Sequence, residues 1–182
     1  MIRHFITALL LVSSLLLTGA LQVKPATADE IALDDKLAIF AAYLGTWEAT
    51  FETKGEQPAM VDVALWQRAL NGSAIRTTHS INDGLYGGES FIFWDKEQQQ
   101  LVFYYFTTAG FYTNGHIEII NDNQFEAYEN VTGNDDGITQ VRSTNTLDGD
   151  RIQVSTSYFK QGKWTESDSR TYYRSNKPVI FK

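Results

Sequence analysis

The chain of 182 residues contains no cysteine. Disulfides, thiolate zinc sites and cysteine nucleophiles are therefore excluded, as is a lipid-modified cysteine near the N-terminus. Proline occurs only three times, and no proline-rich linker, low-complexity segment or internal repeat divides the sequence. Histidine is equally scarce, and His79 and His116 are too widely spaced to form a metal-ligand pair. Basic residues are outnumbered, 15 against 22 acidic, for a net charge of −7. That balance argues against nucleic acid and anionic membrane surfaces as partners, and it favours solubility. The sequence has no Gly-x-Ser-x-Gly, no His-Glu-x-x-His, no phosphate loop and no dinucleotide fingerprint. The acidic run "TGNDDG" lacks the ligand spacing and distal glutamate of a calcium loop, and we read it as a hairpin turn. Asn71-Gly72-Ser73 and Asn130-Val131-Thr132 fit the glycosylation sequon, which matters only in a eukaryotic secretory pathway.

One sustained apolar run is present, at the N-terminus, from Phe5 to Leu17. It follows Arg3 and His4 and precedes Ala26-Thr27-Ala28. A positive start, a short apolar stretch and small residues at −3 and −1 are the three parts of a secretory signal. The run is shorter than the ~20 residues of a membrane-spanning helix. The expectation is a cleavable signal over residues 1–28, an exported protein (periplasmic or secreted), and no membrane span after cleavage. Residues 29–182 then make a single domain, large enough to stand on its own core without disulfides. Cleavage removes only Arg3 and Lys24, leaving 13 basic against 22 acidic residues, a net charge of −9.

Leu33, Leu37, Phe40 and Leu44 are spaced four, three and four, which predicts an α-helix of about three turns over 32–44. Asp34 and Asp35 suit its positive end, and Gly45 suits its C-terminal end. After Gly45 the period changes to two. Trp47, Ala49 and Phe51 share one face, and Glu48 and Thr50 the other. Further alternating runs follow, separated by "NGS", "NDGLYGG", "KEQQ", "AG", "NDN", "TGNDDG", "DGD" and "KQG". Asn-Gly and Asp-Gly between such runs are hairpin signals. About ten strands in plain succession, with an aromatic face and no second helix to cover it, imply closure of the sheet on itself. The fold class expected is all-β: an up-and-down antiparallel β-barrel with the N-terminal helix across one mouth. A two-sheet sandwich is the alternative.

Alternation also assigns faces. The inward positions are Ile75, Thr77, His79 and Ile81; Phe125, Ala127, Glu129 and Val131; and Ile152, Val154, Thr156 and Tyr158. Several are small, which favours a cavity for one small ligand over a filled interior. "FIFW" and "VFYYF" are apolar on both faces, so their outer side is either a partner surface or ordinary strand composition.

A helix, then Gly45-Thr46-Trp47 opening the first strand, a barrel meander and a closing "RTYYR" together resemble the lipocalin and calycin superfamily. The closer likeness is to small bacterial lipocalin-like barrels of unknown function, which share "LGTWE…W…LNGSAIR…G…YR". The resemblance implies that Trp47 lies at the barrel floor with an arginine of the last strand across its indole. Arg174 is the first candidate and Arg170 the second. Such a guanidinium–indole stack is favourable. Related ten-stranded barrels hold haem through an axial histidine near their C-terminal strands. No histidine follows His116 here, and no cofactor or metal is expected.

Candidate site residues follow from the faces. His79 is the leading ionisable group, functional or simply a satisfied interior histidine. Glu129 is the inward carboxylate, at the rim or paired with His79 as an acid–base couple with shifted pKa values. Tyr105 and Arg142 are candidates to reach the lumen as hydroxyl donor and anion clamp, and Phe51 to line it. No catalytic residue is assigned. The first functional expectation is an exported barrel binding a small apolar or aromatic molecule. The alternatives are an isomerase- or cyclase-type enzyme using His79 and Glu129, and a protein–protein module on the outer aromatic faces.

Overall fold

In the computed structural model, which describes residues 32–51 and 59–182, the alternating runs form antiparallel strands. The expected signal segment, 1–28, lies outside the described residues. The strands are β1 (Gly45–Phe51), β2 (Met60–Ala69), β3 (Ala74–Ile81), β4 (Tyr86–Asp95), β5 (Gln100–Thr107) and β6 (Tyr112–Asn121). They continue as β7 (Gln124–Thr132), β8 (Ile138–Asp148), β9 (Arg151–Lys160), β10 (Lys163–Trp164) and β11 (Asp168–Arg174). From β1 to β10 each strand pairs with its neighbour in sequence, and β11 runs between β9 and β1, so the sheet closes on itself. The two-residue β10 and the longer β11 both pair with β9, and Thr165 N donates to Tyr158 O between them at 2.9 Å. They act as one interrupted strand, which makes a ten-stranded barrel.

The helical element capping one end is Asp35–Tyr43, and it is a 3-10 helix rather than the expected α-helix. The reason lies in the side chains that it buries. Leu37, Phe40 and Tyr43 recur every third residue and are fully buried, and three residues per turn is the 3-10 period. Leu33 and Leu44, on which the α-helical reading relied, are only partly buried against this cluster. The carboxylate of Asp34 caps the start, accepting from Lys36 N at 2.9 Å. Gly45 follows with φ of +108°, where a side chain is disfavoured, and the chain turns directly into β1.

Phe40 and Tyr43 meet Trp66 and Phe125 with ring centroids 5.4–6.0 Å apart, closing the barrel at this end. Trp47 is fully buried within the same floor. Its indole N–H donates to Tyr43 O at 2.6 Å. The Arg174 guanidinium lies 3.7 Å from the ring centre and donates to the carbonyls of Leu44 and Ala42 at 2.5 and 2.8 Å. This arginine ties the helix end, the floor and the last strand together.

The residues after β11 form an external strap. Ser175 and Lys177 bond to Glu48, and Ile180 N donates to Ser80 Oγ at 3.1 Å. The strap runs past β1 toward the β3–β4 turn, against Gly84 and Gly87. Val63 and Ser80 point away from the lumen yet are buried. With its outer face covered, this part of the sheet carries apolar residues on both sides.

Candidate lumen binding site

His79 sits in the middle of β3, opposite Ala64 of β2 and Gly88 of β4. Both neighbours are small, and the second is decisive. A Cβ on Gly88 would lie 2.2 Å from Cε2 of Tyr105 and 2.6 Å from a backbone oxygen. The bare glycine lets the Tyr105 ring from β5 lie across β4 and reach His79. Nε2 of His79 and the Tyr105 hydroxyl are 2.7 Å apart, and Tyr105 and Tyr86 hydroxyls 2.9 Å apart. On its other side, Nδ1–H of His79 donates to Asp62 Oδ1 at 3.0 Å. The second oxygen of Asp62 accepts from the Tyr172 hydroxyl at 2.9 Å. Asp62 is only 4 % exposed, and a buried carboxylate needs this pair of donors. Burial pushes the hydroxyls of Tyr105, Tyr172 and Tyr86 above the ordinary phenol range, so they remain protonated donors.

Glu129 projects from β7 into the same lumen, opposite Gly115 of β6. It is half-buried and borders the lumen. Burial raises its pKa, and the hydrogen bond from Thr113 Oγ1 at 2.7 Å offsets this only in part. His79 and Glu129 thus share the lumen, but among the described residues no hydrogen bond joins them. Each is held by its own partners.

A carboxyl whose folded pKa lies above its unfolded value binds its proton more tightly in the native state. It lowers stability as pH rises from the ordinary glutamate value, about 4.3, toward the raised one. We expect Glu129→Gln to be more stable than the parent in urea melts at neutral pH. The advantage should shrink as pH falls to about 4. Equal stability at both pH values would contradict a carboxyl whose pKa burial raises.

The lumen consists of two adjoining chambers of about 310 Å³ each. The floor chamber is lined by Trp47, Trp66, Phe103, Ile152 and Val154. The other, toward the β5–β6 and β7–β8 connections, is lined by Tyr86, Phe111, Val131 and Tyr158. Asp62, His79, Tyr105, Glu129 and Arg170 border both. A polar girdle therefore lies between two apolar compartments, which is consistent with a small-molecule binding cavity.

Two expected lumen residues lie elsewhere. Arg142 is exposed on the outside of β8, its guanidinium 4.6 Å from the Trp164 ring centre, beside Glu126 and Tyr128. It is one residue out of phase with Val141, which faces in, and strand parity turns it away. Phe51, at the end of β1, lines neither chamber. It borders an external groove and carries the Arg170 guanidinium 3.9 Å over its ring. Conversely Asp62, Tyr86, Tyr172 and Arg170 enter the lumen without having been singled out as ligand contacts. The paired glycines Gly87-Gly88, in a strand otherwise rich in aromatics, were the sequence signal that a ring lies against β4. Outside the barrel, Tyr104, Phe106 and Tyr112 are exposed on β5 and β6.

The closed ten-stranded barrel with its capped floor is consistent with a calycin- or lipocalin-like fold. No protein-family model matches the chain, and no curated protein matches it. No helix among the described residues is long and apolar enough to cross a membrane. The described residues include no cluster of three or more acidic or histidine side chains able to hold a metal.

Proposed function

We propose that this is an exported barrel of the lipocalin-like kind that binds a small apolar or aromatic molecule in its lumen. Export is supported by the N-terminal sequence pattern alone. The observation that carries the binding reading is the apolar floor chamber directly beneath the ring of Asp62, His79, Tyr105 and Glu129. An apolar body gains burial against Trp47, Trp66 and Phe103, and one polar end meets the girdle. An enzyme built on His79 and Glu129 has less support, because the two are engaged with separate partners.

The test fills the floor. Ala64 lies between Trp47 and His79 across the ladder and lines the chamber. Ala64→Phe is expected to weaken binding of N-phenyl-1-naphthylamine, followed by its fluorescence, at least about tenfold, equivalent to about 1.4 kcal/mol. The urea midpoint should change little. A parent protein that does not bind the probe, or a variant that binds it equally well, would refute lumen binding. Native mass spectrometry of protein from its own host would show a retained ligand by mass, and the intact mass would show whether residues 1–28 are removed.

A further inference from the structure

Asp62, His79, Tyr105 and Tyr86 form a single file of hydrogen bonds across the lumen. One end of the file is pinned. Asp62 accepts at both oxygens, from His79 Nδ1–H and from the Tyr172 hydroxyl, and a carboxylate has no hydrogen to give. Beside an ionised Asp62, Nδ1 therefore carries the hydrogen, and Nε2 is the nitrogen free to exchange a proton. The other end can turn. With His79 neutral, Nε2 accepts from Tyr105, and Tyr105 accepts from Tyr86. With His79 protonated, Nε2 donates to the Tyr105 oxygen. The Tyr105 hydrogen then goes to Tyr86, and the Tyr86 hydrogen is released. One proton is taken up at Nε2 and two hydroxyls rotate; no other bond changes.

Tyr86 borders the chamber on the mouth side of the girdle, with its ring stacked on Phe111 at 6.5 Å. Toward a molecule there it presents only lone pairs in the first state and an O–H in the second. We propose that the lumen takes an apolar molecule headed by a hydrogen-bond acceptor such as a ketone. Protonation of His79 turns Tyr86 from acceptor to donor toward that head. This rests on the lumen being a binding site.

The groups facing His79 decide what else can titrate. Asp62 of β2, Tyr86 of β4 and Tyr105 of β5 belong to the file itself. Tyr158 of β9 and Tyr172 of β11 are phenols pushed upward by burial, and Arg170 of β11 keeps its charge. Glu129 of β7 is the other carboxyl bordering both chambers, and burial raises its pKa, so the test isolates it.

Two uncharged probes separate the possibilities: naphthalene, without a head, and 2-acetylnaphthalene, with a ketone. Dissociation constants are measured by quenching of tryptophan fluorescence from about pH 8 to about pH 5. 2-Acetylnaphthalene should bind about fivefold tighter at the acid end, the worth of one added hydrogen bond, and naphthalene equally at both. The slope should vanish in His79→Gln and persist in Glu129→Gln. Tyr86→Phe, which leaves the bonds of His79 intact, should also be flat, so the result does not depend on His79→Gln folding. Failure of the parent protein to bind naphthalene would overturn the lumen reading and this proposal with it. Naphthalene binding accompanied by a flat ketone profile would overturn this proposal alone. So would a slope that survives in His79→Gln or Tyr86→Phe, or one that disappears in Glu129→Gln.

Discussion

Trp47→Ala is expected to cost about 3–5 kcal/mol of stability, the range for removing a large buried aromatic, measured as the loss of unfolding free energy in urea. The indole is 0 % exposed and joins three parts of the molecule. It packs in the floor cluster, donates to Tyr43 O, and carries the guanidinium of Arg174. Alanine leaves a cavity, an unpaired carbonyl and an arginine with nothing beneath it. Trp47→Phe keeps most of the packing and loses the N–H, so its cost should fall between those of the parent and alanine. Arg174→Ala should cost less than Trp47→Ala. Arg174 is exposed on its outer side, and a cation over an aromatic ring at such a site contributes about 0.5–1 kcal/mol. If Trp47→Ala cost under about 1 kcal/mol, the floor would not be held by this residue.

Gly115→Ala is expected to destabilise by about 1–3 kcal/mol or more, as overpacking does, and to impair the lumen as well. A Cβ there would lie 1.8 Å from Tyr128 O, 2.8 Å from Tyr128 C and 3.1 Å from Glu129 Cα. All three atoms are backbone of the adjoining strand, so no side chain can swing aside, and β6 and β7 must separate. Glu129 sits directly opposite and takes its hydrogen bond from Thr113 on the displaced strand. Weaker N-phenyl-1-naphthylamine binding should therefore accompany the lower urea midpoint. A variant with unchanged stability would show that the two strands have room to spare.

The strands and their succession were legible because each is bounded by a turn signal and one face is apolar. Parity then placed His79, Glu129 and Thr156 in the lumen lining. It was silent for "MVDVALWQRAL". Val61, Val63 and Leu65 alternate with Asp62, Ala64 and Trp66, and both sets contain large apolar residues. The lumen takes the second set because the strap after β11 covers the first. That contact joins residues 100 apart in sequence, and no local pattern encodes it. Asp62, the anchor of the hydrogen-bond file, was hidden for this reason. The helix misled differently. Leu33 and Leu44 extend an α-like spacing, but the floor accepts only Leu37, Phe40 and Tyr43 as fully buried. Arg142 was a candidate for the lumen on chemical grounds, and the parity of its strand turns it outward.

The seam between the first and last strands has a kinetic consequence. β1 and β11 match only at Trp47–Arg174 and Glu48–Tyr173, whereas the other neighbouring strands are joined by short connections and can pair locally. Closing the ring brings together two ends of the barrel-forming chain, and such non-local pairing is slow because the loop entropy must be spent first. The hairpins can form early, but the lumen exists only once this short seam has zipped. A circular permutant that links the seam as a hairpin and opens the chain at the exposed β8–β9 turn would make the slow step a local one, and the barrel should close faster without any change to its interior.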